Sequence, residues 1–127
     1  MLVVSCVLAA LAALVHVYIF VLESVRWTDP ATRRVFGTTE ETAEITRPLA
    51  YNQGFYNLFL AIGTAVGIAL VPGDHPGCLA LVVFGTGSML AAAVVLITSD
   101  HSLARAAAVQ GLLPLLALLA LVVHGLA

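Results

Sequence analysis

Four long apolar stretches, separated by three polar connectors, set the pattern of this chain: Leu2–Leu22, Leu49–Val71, Cys78–Thr98 and Ala106–Ala127. Each has close to the roughly 20 residues with which an α-helix crosses about 30 Å of hydrocarbon. Inside lipid a backbone amide finds its partner only within its own segment, so a helix is the economical conformation for every stretch. The expected fold is all-α: a four-transmembrane-helix antiparallel bundle, a single domain over residues 1–127, with short interfacial helices in the first loop. The first stretch differs from a signal peptide. It lacks a basic leader, is long for such an apolar segment, and carries His16, Tyr18 and Glu23 toward its far end.

The first connector is the one substantial polar element. Thr28-Asp29-Pro30 has the form of a helix cap followed by proline at the first helical position, and Gly37 is placed to end that short helix. Thr38-Thr39-Glu40-Glu41 has capping-box spacing, with Thr38 as N-cap and Glu41 three residues on. This predicts a second short helix toward Arg47, broken or bent at Pro48 as the chain enters the second span. Trp27 and Phe36 are expected to anchor the connector at the membrane surface.

Composition agrees with a bilayer as the solvent. The chain is 61% hydrophobic and 9% charged, with a mean hydropathy of +1.08, more apolar surface than a water-soluble domain of this length can bury. A net charge of −2 and the absence of any basic run argue against nucleic acid as a partner. All five basic residues are arginines. Arg26, Arg33, Arg34 and Arg47 lie between the first two spans and Arg105 between the last two. Positive-inside logic then puts the first and third loops in the cytoplasm and both termini outside.

Sorted by depth, the polar side chains converge on that inner end. His16, Phe20, Glu23 and Trp27 fall at i, i+4, i+7 and i+11, one face of an ideal helix, with His16 about 10 Å deeper than Glu23. The second span enters with Tyr51, Asn52, Gln53, Tyr56 and Asn57, and Gln53 and Asn57 share a face. The third leaves through Thr98, Ser99, Asp100 and His101, and the fourth presents Gln110 about one turn inside. Pro114 cannot donate to the Gln110 carbonyl, which leaves a backbone acceptor beside that side chain. The outer half reads as almost pure Leu, Val, Ala, Phe and Gly, apart from His124 near the C-terminus.

The remaining features read as packing or turn chemistry. Gly63-x-x-x-Gly67 allows close helix approach, within the bundle or between copies, and Ala91-Ala92-Ala93 is similarly smooth. Pro72-Gly73-Asp74-His75-Pro76-Gly77 is a tight reversal whose Asp74 and His75 are polar turn residues rather than metal ligands. His16, Glu23 and His101 lack the tight spacing of a metal site. No metal is expected, and no haem, flavin or iron–sulfur ligand set is visible, so no cofactor is expected either. Cys6 and Cys78 both fall near outer helix ends and are read as unpaired, although an oxidising compartment would permit a disulfide.

Several of these residues carry a resemblance. His16-x-Tyr18, Glu23, Trp27, Phe36-Gly37, Ala50-Tyr51-Asn52-Gln53-Gly54-Phe55-Tyr56-Asn57 and Gln110-Gly111-x-x-Pro114, in that order, resemble the DUF1304 family of small bacterial membrane proteins. The Asn-Gln-Gly-x-Tyr-Asn element is the most recognisable part, and the resemblance spans essentially the whole chain. It implies four helices in a bacterial plasma (inner) membrane and a functional interest in the motif residues. It implies no reaction, substrate or cofactor.

Three functions are compatible with this pattern. In the first, a small apolar molecule from the bilayer is bound or transformed in a polar pocket of the inner half. His16 and Glu23 are then the candidate catalytic residues, because an imidazole and a carboxylate in a medium of low dielectric suit proton transfer. Tyr18, Trp27, Asn52, Gln53, Tyr56, Asn57 and Gln110 are the candidate ligand-binding residues. Isomerisation or cyclisation fits this set better than redox chemistry. In the second, the polar residues mark a proton or ion path in an oligomer. In the third, they are interhelical glue in an accessory subunit.

Overall fold

A computed structural model describes residues 1–126; Ala127, at the end of the fourth apolar stretch, lies outside the described residues. Five helices succeed one another: α1 Leu2–Phe20, α2 Pro30–Phe36, α3 Glu40–Leu70, α4 Cys78–Ser99 and α5 Ala104–Leu126. A wide π turn, Val21–Val25, extends α1, and short 3₁₀ turns at Val71–Gly73 and His101–Leu103 flank α4. The four long helices are each long and apolar enough to cross a membrane. Around the bundle the order is α1, α3, α4, α5, with α1 also against α5, so every close neighbour except that pair is consecutive among the spans. This is a multi-pass membrane protein.

The interior is built from small residues. Ala9, Ala12, Ala61, Ala93, Ala107 and Ala117 are buried, while Leu14, Phe84 and Val95 each leave at least 65% of their surface exposed. That inverts the soluble pattern: lipid is as apolar as leucine, so large side chains gain little by turning inward, and close backbone contact drives association instead. A Cβ on Gly111 would meet the Ala93 Cβ at 2.7 Å, and one on Gly67 would meet the Cys78 carbonyl at 3.0 Å. Gly67 therefore serves the α3–α4 contact within the bundle. Its partner in the Gly-x-x-x-Gly pair, Gly63, has nothing within 4 Å. Of the alanine run, Ala93 alone is buried.

The first connector departs from expectation in two ways. Asp29 precedes the helix, Pro30 is its first residue, and Gly37 ends it at φ 65°, as the spacing predicts. The next helix, however, is capped by Thr39, whose Oγ1 accepts from the Thr42 amide at 3.1 Å. Thr38 is displaced from the capping role, and with the frame moved by one residue Glu41 loses the reciprocal position. Secondly, α3 runs unbroken through Pro48. Pro48 and Glu44, whose carbonyl loses its donor there, both lie on exposed turns, where solvent can take that bond. At 1.5 Å per residue α3 is roughly 46 Å long, more than the about 30 Å of a hydrocarbon core.

The half read as almost pure Leu, Val, Ala, Phe and Gly also holds buried hydroxyls. Ser5, Thr64 and Thr86 are fully buried there. Each hydroxyl is tied to a backbone carbonyl: Ser5 Oγ donates to Ala117 at 2.8 Å, Thr64 Oγ1 to Leu60 at 2.8 Å and Thr86 Oγ1 to Val82 at 2.6 Å. Thr64 and Thr86 bond to the preceding turn of their own helices, whereas Ser5 bonds across to α5. Cys6 and Cys78 are both free thiols.

Candidate functional site

At the α2 end the bundle opens. Helix α1 finishes in the π turn, closed by the Arg26 amide on the Val21 carbonyl at 2.9 Å. Ser24 fixes this turn against α3, donating from Oγ to the Tyr51 carbonyl at 2.8 Å. The approach is permitted by Gly54, where a side chain would run into Ser24 and meet the Phe20 carbonyl at 3.1 Å. Such bulges recur at functional positions, because one extra residue in the turn changes the direction of the side chains it carries. Here the side chain redirected is that of Glu23. Phe20 packs edge-on against Phe55 at 5.2 Å and seals the α1–α3 seam below.

Glu23 Oε2 accepts from Asn57 Nδ2 at 2.8 Å, and the same amide nitrogen reaches back to the Gln53 carbonyl at 3.3 Å. The pair lines a cavity of about 590 Å³ between α3 and α4. Gln53, Tyr56 and Gln110 also face it, and Leu60, Ala92, Val95 and Leu96 supply apolar wall. The connector forms the rim through Trp27, Phe36 and Thr38. Trp27 lies 5.1 Å from Phe36 and donates from Nε1 to Thr46 Oγ1 at 3.2 Å, which in turn donates to the Thr42 carbonyl at 2.7 Å. The first turns of α3 thus hold the rim in place. Thr38 Oγ1 is buried there without a hydrogen-bond partner among the described residues.

A second cavity, of about 500 Å³, lies between α1 and α5 under the other side of α2. Tyr18, Ile19, Leu22 and Val109 line its depth, and Arg34 and Arg105 also border it. Phe36, Leu96 and Gln110 face both cavities and form the partition between them.

The geometry groups the sequence-derived residues unequally. Glu23, Trp27, Gln53, Tyr56, Asn57 and Gln110 share the first cavity. Tyr18 faces the second. Asn52 is exposed and lines neither. His16 is fully buried in the bundle and also lines neither. Its Nδ1 donates to the Ala12 carbonyl at 2.9 Å, and Nε2 has no partner among the described residues. The ideal-helix face that aligned it with Glu23 ends at the π turn, whose wider pitch offsets the residues beyond Val21. Thr38, Thr42 and Thr46 are rim residues that sequence reasoning misses; their threonine periodicity is a signal only once α3 is known to begin at Glu40. Among the described residues no group of three His, Cys, Asp or Glu side chains is placed to hold a metal ion.

No curated protein and no solved structure matches the chain. A family model described as protein of unknown function (DUF1304) matches residues 10–122, which takes in both cavities and most of the bundle. The chain with this carboxylate–carboxamide cleft belongs to the DUF1304 family.

Proposed function

We propose that this protein binds or transforms a small, largely apolar molecule in the cavity between α3 and α4, and that it does so from the cytoplasmic leaflet of the plasma membrane. The observation that carries this reading is the Glu23–Asn57 hydrogen bond at the wall of a cavity whose other lining mixes amides and hydroxyls with Leu49, Leu60, Val95 and Leu96. A volume of about 590 Å³ suits a small-molecule site, and a few convergent polar groups on an apolar wall are what orient such a ligand. A carboxylate inside a membrane helix is costly and marks function by default. Asn57 engages one carboxyl oxygen, which leaves Oε1 to accept from a ligand hydroxyl or amine. Glu23 is then the proton acceptor or donor and Gln53 and Gln110 the orienting amides. His16, outside the cavity, is a positioning residue in this scheme, acting through the backbone of α1.

The arginine-rich connectors support the orientation, with both termini outside. In a variant without Cys6 and Cys78, a thiol placed at the exposed Glu41 reacts with an impermeant maleimide only in inside-out vesicles under this topology; labelling from the exterior would reverse it. The function is tested by native mass spectrometry on protein extracted in mild detergent. The expected result is a co-purifying apolar species on the natural chain that Glu23→Gln loses at unchanged melting temperature. A natural chain that flies bare, or a variant that retains the species in full, would contradict the reading.

A further inference from the structure

The second cavity has a chemistry of its own. We infer that it is a binding slot for an anionic, phosphate-bearing lipid, with the headgroup on Arg34 and Arg105 and an acyl chain lying between α1 and α5. The two arginines come from different elements, the last turn of α2 and the first turn of α5, and both border this cavity. Neither has a carboxylate within ion-pair distance among the described residues. Arg26 and Arg33, by contrast, are engaged by Asp29 at 2.7 Å and Glu40 at 3.6 Å. No acidic side chain lines this cavity, so its charge is uncompensated by the described residues.

Below the mouth the character changes along the helix axes. Val109 lies about one turn inside Arg105 on α5, and along α1 Tyr18 lies about one turn from Leu22. Tyr18 and Val109 are more than half exposed on outward faces of α1 and α5, so the slot opens sideways to lipid. A basic rim above an apolar lateral slot matches an amphiphile with a phosphate head, whereas a free phosphate would leave the apolar part unused. Basic pockets between membrane helices are the usual place for such headgroups. The inference is independent of the first cavity's occupant, because only the partition residues are shared.

The test is native mass spectrometry of the full chain titrated with phosphatidylglycerol or with phosphatidylcholine of the same chains. Phosphatidylglycerol is expected to be retained preferentially. Arg34→Gln or Arg105→Gln should lower its affinity about fivefold and the double variant about 25-fold, the equivalent of about 1 kcal/mol per arginine near the surface. Val109→Trp, which fills the slot without touching charge, should also abolish retention, so the result does not rest on the arginine variants folding. Arg26→Gln, whose parent lies outside the cavity, should change nothing. Equal retention of both lipids, an equal loss in Arg26→Gln, or full displacement by millimolar inorganic phosphate would each overturn the proposal.

Discussion

The two halves of this bundle use the same four helices in opposite ways. Toward the Val71–Gly77 turn, glycine and alanine let the helices touch, and the buried hydroxyls of Ser5, Thr64 and Thr86 are each spent on a carbonyl. Toward α2, the helices part around two cavities, and the polar groups there are incompletely used: Asn57 holds one oxygen of Glu23, and Thr38 Oγ1 has no partner. Polarity alone does not distinguish the halves, since Ser5, Thr64 and Thr86 are as buried as any residue in the molecule. What distinguishes them is whether the polar atoms are satisfied by the protein. A satisfied seam rigidifies a bundle, and an unsatisfied one beside open volume invites a ligand.

Substitutions can break this contrast from either side. The largest effect is expected in the packed half, where Gly67→Val drives a side chain into Leu81 and the Cys78 carbonyl. Overpacking of this kind costs about 1–3 kcal/mol. Thermal unfolding in detergent should register it as a clear drop in midpoint, while Gly63→Val, with open space around it, should stay near the natural chain. Next comes Glu23→Gln in the open half. It should leave the midpoint nearly unchanged and reduce ligand occupancy about tenfold, the equivalent of one hydrogen bond of about 1.4 kcal/mol. If it unfolds the protein as severely as Gly67→Val, the carboxylate is structural glue.

Smaller effects sharpen the same distinction. Ser5→Ala removes the α1–α5 hydrogen bond to Ala117, and about 0.6 kcal/mol is the expected loss for a polar contact between membrane helices. A chemical-denaturation series resolves that size. Trp27→Phe keeps the ring against Phe36 but deletes the donor to Thr46. Because that bond holds the rim rather than the bundle, faster proteolysis of the 28–39 connector is expected at unaltered global stability. Protection equal to that of the natural chain would mean the rim is held without it.

Much of the fold was legible because the bilayer enforces it. Length and apolarity specify a spanning helix, and Asp29-Pro30 with Gly37 marks α2 by local rules alone. The parts that were not legible depend on contacts across elements. The π turn at Val21–Val25 exists where Ser24 meets the Tyr51 carbonyl over Gly54, and no local pattern announces it. Pro48 reads as a breaker, yet its helix continues because the freed Glu44 carbonyl lies on an exposed turn. Glu23, Asn57 and Gln110 were readable as polar residues of one depth. That they share a cavity depends on the connector folding over α3 and on Val95 and Leu96 of α4 and Gln110 of α5 facing the same space.

The most direct measurement is a crystal structure of the protein grown from a lipidic phase after extraction with its native lipids. The account predicts non-protein density between α3 and α4, in contact with the Glu23–Asn57 pair and walled by Leu60 and Val95. Helices closed on one another, with those two side chains touching and no volume left between them, would contradict it.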